Sequence, residues 1–372
     1  MDEPRAASYS RLALTPYLLL FAFFALGALF SEPVVAAADG RPAAEPSPPA
    51  PHHIPLMLIV GGLLMAVMIG LRFRVGGDWD TYTSYWDYAA TASLAEMLDF
   101  GDPAYQFLNW GGQQLGLDIW SVNLVCGLLF SLGLIRFART QPLPWLVVVV
   151  AIPYLVVVVA MGYTRQAVAI GLLLGGMASL FRGGSLLRFA VYVVLAALFH
   201  KTAVLALPLI IFSRKRNRLL TLLGGLLLFY ALYAALLADN VDKLVTNYIQ
   251  AEYQSSGAAI RVGLSLIPAL LFLASPGRFA FDDLQRGFFR LSSWVTIALL
   301  VALVTTPSST AVDRMALYMF PLQLAVMSRL PLAFPNIANR FVIVCYALAI
   351  ELVWLDFADF AYKWLPYRTY LL

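Results

Sequence analysis

Apolar runs of roughly 18 residues or more recur along almost the whole chain, and that recurrence limits the possible folds more than any other feature of the sequence. Such a run matches a helix crossing a hydrocarbon core about 30 Å thick, where only helices and closed barrels satisfy their own backbone polar groups. With 61% hydrophobic and 12% charged residues, the chain falls well short of the roughly 25% charge of soluble domains. The sequence therefore predicts an all-α, polytopic transmembrane helical bundle.

Candidate spans fall at 12–30, 54–71, 118–136, 144–161, 166–181, 186–199, 202–213, 219–237, 262–275, 291–306, 314–328 and 340–355, or about 11 to 12 crossings. Residues 1–53 read as an N-terminal apolar segment with a Pro/Ala-rich linker, and residues 54–372 as the polytopic membrane domain. Cys126 and Cys345 lie inside apolar runs and read as small core residues.

The net charge of +4 comes from short basic clusters that report orientation, and no basic tract is long enough to argue for nucleic acid. Arg136 with Arg139, Arg182 with Arg188, the cluster Arg214, Lys215, Arg216 and Arg218, then Arg278, Arg286 and Arg290, and finally Arg329 with Arg340 occupy alternate connections. The positive-inside rule makes that side cytoplasmic. Arg5 and Arg11 before the first span argue the other way, and Ala36-Ala37-Ala38 resembles a cleavage site. The later loops outvote them and favour an uncleaved first segment with an external N-terminus.

The external connections are then 72–117, 162–165, 200–201, 238–261, 307–313 and the tail from Asp356, and the unusual residues collect there. The first carries Arg72, Arg74, two glycines, Asp78, Trp79, Asp80 and Tyr82. Carboxylates interleaved with aromatic rings suit sugars, while a solvated loop with interfacial aromatics would look the same. Gly162-Tyr163-Thr164-Arg165-Gln166 places an arginine near membrane depth, where it needs an anion. A structural partner such as Asp78 or Asp313, or a substrate phosphate, meets that need.

Phe199-His200-Lys201-Thr202 sets an imidazole beside a cation, as a general base or as a histidine bonded to backbone. Asp313-Arg314 with Tyr318 puts Arg314 and Tyr318 on one helical face, or is a plain helix start. Arg261, with Tyr248, Glu252 and Tyr253, belongs to a second external loop able to cover the site. Three histidines without ligand spacing give no metal site, and Asp78-Trp79-Asp80 is the weak exception. A phosphate-cradling glycine loop is absent, which argues against direct nucleotide use.

Taken in order, Arg74-x-Gly76-Gly77-Asp78-Trp79-x-x-Tyr82, Arg165-Gln166, Phe199-His200-Lys201-Thr202 and Arg314 with Tyr318 resemble the EpsG-like branch of Wzy-type polysaccharide polymerases. The family pattern has Thr and Tyr where this chain has Gly77 and Trp79. The resemblance runs from about residue 54 to the C-terminus. It implies a glycosyltransferase of the bacterial inner membrane that moves a growing glycan from polyprenyl diphosphate onto a lipid-linked repeat unit at the periplasmic face, without a cofactor. Polyprenyl-diphosphate-linked oligosaccharide and membrane lipid are the expected partners, together with a flippase and chain-length or export machinery.

On that reading Asp78, Arg165, His200 and Arg314 are catalytic and converge in one periplasm-facing cavity. Arg72, Arg74, Trp79, Asp80, Tyr82, Gln166, Lys201, Arg261, Asp313 and Tyr318 bind substrate. Two alternatives stay open: a single-sugar glycosyltransferase using a lipid-phosphate donor, with or without a metal at Asp78 and Asp80, and a transporter or flippase for the lipid-linked glycan.

Overall fold

A computed structural model describes residues 11–30, 56–209, 223–224, 226–227, 230–231, 257–306, 309–335 and 339–371. The basic cluster at 214–218, the linker with His52 and His53, the loop residues Tyr248, Glu252 and Tyr253, and most of the candidate span at 219–237 lie outside the described residues.

Helix α1 (Arg11–Phe30) is followed by α2 (Leu56–Gly70), by three short helices α3 (Trp79–Ala89), α4 (Leu94–Phe100) and α5 (Pro103–Gln114), and by α6 (Trp120–Ala138). Next come α7 (Pro144–Ala151), which runs on as a π-helix over Ile152–Ala160, then α8 (Thr164–Phe181), α9 (Leu186–Phe199) and a 3-10 turn at Lys201–Ala206. The described part closes with α10 (Ala258–Ala274), α11 (Asp283–Thr305), α12 (Ser309–Ala316), α13 (Phe320–Ala333) and α14 (Arg340–Phe357). Among the described residues five stretches are long and apolar enough to cross a membrane: Ala13–Phe30, Trp120–Ala138, Thr164–Phe181, Asp283–Thr305 and Ser309–Ala333. Shorter apolar helices lie at Leu56–Gly70, Pro144–Ala160, Leu186–Phe199 and Ala258–Ala274. The molecule is an all-α, multi-pass helical bundle.

Local chemistry sets the helix ends. Ser185, Asp282 and Asn339 accept hydrogen bonds from the N–H groups of Arg188, Gln285 and Val342 at 3.2, 2.8 and 3.0 Å, which satisfies donors the following helices leave open. Pro103 and Pro144 occupy first-turn positions, where a missing N–H costs nothing. The valine-rich run Trp145–Met161 is buried on every side, so it forms the centre of the bundle. α1, α13 and α14 pack around its first half.

The region 72–117, expected as one long connection, is instead largely helical. α3 to α5 form a layer with its own small core, in which Trp79, Tyr82, Trp86 and Tyr105 meet Val122, Cys126, Val168 and Phe199. Sequence periodicity hid this layer, because its helices are 7 to 12 residues long and mix polar with aromatic side chains. The run Ser93–Glu96 does carry a capping box.

The bundle has two chemically distinct ends. At one, Arg182 donates to the Arg139 carbonyl at 2.9 Å, Arg136 to the Tyr192 hydroxyl at 3.2 Å, Arg329 to the Gln141 amide oxygen, and Arg278 covers the Phe334 ring. At the other, the segment 71–78 is tied to the C-terminal tail and to the turn before α8. The Phe73 N–H reaches the Arg368 carbonyl and the Gly76 N–H reaches that of Lys363, both at 2.9 Å, while the Asp78 N–H reaches that of Gly162 at 3.3 Å. Gly76 takes φ +115°, and any β-carbon there would strike the Met161 carbonyl, so only glycine fits this crossing. α1 starts at this second end, where the Tyr17 hydroxyl donates to the Trp364 carbonyl at 2.6 Å.

Helices α6 and α8 approach backbone to backbone at Gly133 and Gly171, the small-residue contact favoured between helices in lipid. Gly133→Val is expected to prevent accumulation of monodisperse protein in detergent. Gly263→Val, with open space around it, is expected to leave accumulation unchanged. Equal loss in both, measured by size-exclusion chromatography, would contradict the close approach.

Candidate functional site

At the end bound by the tail, Asp78, Tyr82, Tyr163, Arg165, Gln166, His200 and Arg314 line a small polar cavity. The four residues read from sequence as catalytic thus meet here, although they lie far apart in the chain.

Each arrives on a different element. Asp78 is the residue before α3, held by its N–H bond to Gly162. Burial pushes its carboxyl above the ordinary carboxylate range, and the charges of Arg314, Arg165 and Lys363 offset part of that rise, as does a hydrogen bond from Tyr82. Arg165, in the first turn of α8, donates from Nη1 to Asp102 Oδ2 at 2.7 Å and lies over the Tyr85 ring, 5.3 Å from its centroid. Its anion is therefore Asp102, the residue before Pro103 of α5, and neither Asp78 nor Asp313. Burial raises the Asp102 carboxyl as well, with Arg165 and then Lys201 opposing it.

His200 sits in the connection after α9. Its Nδ1 is 2.7 Å from Thr202 Oγ1 and 3.4 Å from the Tyr318 hydroxyl. Burial, then the charges of Arg165 and Arg314, hold the imidazole well below its ordinary value, so it is neutral near pH 7. Arg314 stacks over the Tyr163 ring, 4.5 Å from its centroid, and donates to Gln166 Oε1 at 3.3 Å, while Gln166 Nε2 donates back to the Arg314 carbonyl at 2.9 Å. Among the described residues Arg314 makes no ion pair.

Several residues expected to bind substrate are not among those that line the cavity. Arg72 is fully buried and donates to the carbonyls of Ile69 and Val75 and to the side chains of Asn123 and Thr164, so it straps α2 to α6 and α8. Trp79 packs into the small core against Phe73. Asp80 is exposed and is not among the residues that line the cavity with Asp78. Arg74 is exposed at φ +52° and lies over Phe73. Asp313 is buried in an ion pair with Arg261, whose other nitrogens donate to the hydroxyls of Tyr154 at 2.7 Å and Tyr163 at 3.1 Å. Tyr318 is buried and spends its hydroxyl on Thr202 at 2.9 Å. Lys201 is half-buried beside Asp102 and does not line the cavity.

Two features were missed from sequence. Tyr163, clamped between Arg314 and Arg261, lines the cavity, and the Asp102-Pro103 dipeptide, a helix-start signal, marks the partner of Arg165.

Fold and cavity together define a multi-spanning membrane protein with a polar pocket lined by two arginines, a carboxylate and a histidine at one end. A family model described as EpsG family matches residues 56–369. The chain belongs to the EpsG family, and so to the membrane proteins of the polysaccharide-polymerase type. No curated protein and no solved structure matches it.

The two ion pairs differ in burial, with 4% exposure on both sides of Arg261–Asp313 and 24% on Arg165. Asp313→Asn is expected to cost about 3–5 kcal/mol of stability by leaving a buried charge uncompensated. Asp102→Asn should cost less, since water still reaches Arg165. Unfolding in mixed micelles measures both, and the reverse order would contradict these burials.

Proposed function

We propose that the cavity carries out glycosyl transfer between two polyprenyl-diphosphate-linked glycans. An acceptor hydroxyl of one repeat unit attacks the anomeric carbon of the growing chain. The new C–O bond forms as the bond to the diphosphate breaks, the diphosphate leaves with the bonding electrons, and the hydroxyl proton passes to a base. The observation that carries this reading is Arg314: a guanidinium without an ion pair among the described residues, facing a polar cavity that also holds a carboxylate and a neutral histidine. A fixed cation aimed at the departing diphosphate stabilises charge where it develops. Arg165, partly neutralised by Asp102, assists from the same cavity, and Asp78 or His200 serves as the base.

Family membership supports the polymerase class. The basic residues at the far end of the bundle support a cytoplasmic placement of that end and a periplasmic opening of the cavity in a bacterial inner membrane. Reporter fusions in the segment 115–118, at the cavity end, test that orientation. Activity of a cytoplasm-specific reporter there would reverse it.

A strain lacking the protein is expected to accumulate single lipid-linked repeats and no polymer. Arg314→Ala should lower polymer formation by purified protein by a factor of about 10²–10³, the scale of one lost transition-state charge contact. Arg314 is a cleaner probe than Arg165, whose removal also strands Asp102. Wild-type chain length with Arg314→Ala would end this assignment.

The pH profile follows from Asp78. A base must be deprotonated, so activity is lost as pH falls through the raised Asp78 value. Arg314 is the leading charge that holds this value down. Arg314→Gln is therefore expected to move the acid limb of the residual activity to higher pH, and an unmoved limb would exclude Asp78 as the group observed.

A further inference from the structure

His200, Thr202 and Tyr318 form a triangle of hydrogen-bonding atoms whose proton directions can be deduced from their surroundings. Thr202 Oγ1 lies 2.7 Å from His200 Nδ1 and 2.9 Å from the Tyr318 hydroxyl, which is itself 3.4 Å from Nδ1. A hydroxyl has one proton to give. Among the described residues the acceptors in reach of the Tyr318 hydroxyl are Thr202 Oγ1 and His200 Nδ1.

Three heteroatoms and their protons then leave one consistent arrangement: the Tyr318 hydroxyl donates to Thr202 Oγ1 and the Thr202 hydroxyl donates to a bare Nδ1. If Nδ1 carried a proton instead, it would donate to Thr202, and one of the two hydroxyl protons would be left without an acceptor inside the triangle.

We propose that Tyr318 and Thr202 fix His200 as the tautomer with its proton on Nε2, so that His200 meets substrate as a hydrogen-bond donor and not as a base. Thr202 and Tyr318 are positioning residues in this scheme. The role toward substrate rests on the glycosyl-transfer reading. There the acceptor's proton passes to Asp78, while Nε2–H donates to an oxygen of the diphosphate or donor sugar and keeps its proton throughout. No other group changes protonation, and the leaving diphosphate carries away the electron pair. The same cavity thus contains donors from Arg165, Arg314 and His200 against a single carboxylate acceptor, Asp78.

The test is nitrogen-15 NMR of histidine-labelled full-length protein in detergent, with His200→Gln used to assign the resonances against His52 and His53. Wild-type protein is expected to show a pyridine-type Nδ1 and a pyrrole-type Nε2 for His200, with a tautomer ratio on the order of ten to one or greater. Thr202→Ser should preserve that ratio and Thr202→Val should move it toward parity. A pyrrole-type Nδ1 in the wild type would overturn the proposal, as would a ratio unchanged by Thr202→Val. The spectrum needs no substrate. A failure of glycosyl transfer, seen as wild-type polymer from Arg314→Ala, is therefore distinguishable from a failure of the relay.

Discussion

A guanidinium carried into a lipid-embedded bundle must find opposite charge or hydrogen-bonding atoms, because the surrounding hydrocarbon offers neither. Four arginines at the cavity end meet that demand in different ways. Arg72 is satisfied by carbonyls and neutral side chains, Arg261 by Asp313 and two tyrosines, and Arg165 by Asp102. Among the described residues Arg314 has an aromatic face and an amide and makes no ion pair. Neutralisation is thus graded, fullest for the first two, partial for the third and least for the fourth. The rest of the site is arranged around that difference.

The cavity also depends on residues that do not line it. The C-terminal tail holds the segment 71–78 through backbone bonds at Phe73 and Gly76, and Trp364 wedges beside Gly77 and Gly162 while its indole N–H reaches the Val157 carbonyl at 2.8 Å. Through these contacts Asp78 is held against the start of α8. The layer formed by α3 to α5 performs the matching task for Arg165 by bringing Asp102 to it. Under the proposed glycosyl transfer, preorganisation of this kind holds positive charge in place where the diphosphate departs.

How far the sequence revealed this site varied with the physical signal each residue carried. Arg165 was legible because a charge between two apolar runs needs an anion, yet the identity of that anion was not, since Asp102 lies 63 residues away in a region whose short helices lack a strong period. Arg72 and Arg74 looked alike in sequence and separated only in three dimensions, one wholly buried and the other exposed. Asp78 and Asp80 parted in the same way, because the chain enters a helix between them. Tyr318 was placed on the face of Arg314, but the chain tightens into a 3-10 turn at Leu317–Met319 and its hydroxyl goes to Thr202.

By itself, the sequence determined that this chain is a membrane bundle, where most of its helices run, and which end of them collects basic residues, because hydropathy and charge act locally and sum along the chain. Tertiary structure alone decided which carboxylate neutralises which arginine, which aromatic rings pack and which line the cavity, and which hydroxyls meet His200. Those outcomes depend on distances between residues far apart in sequence, and no local pattern records them.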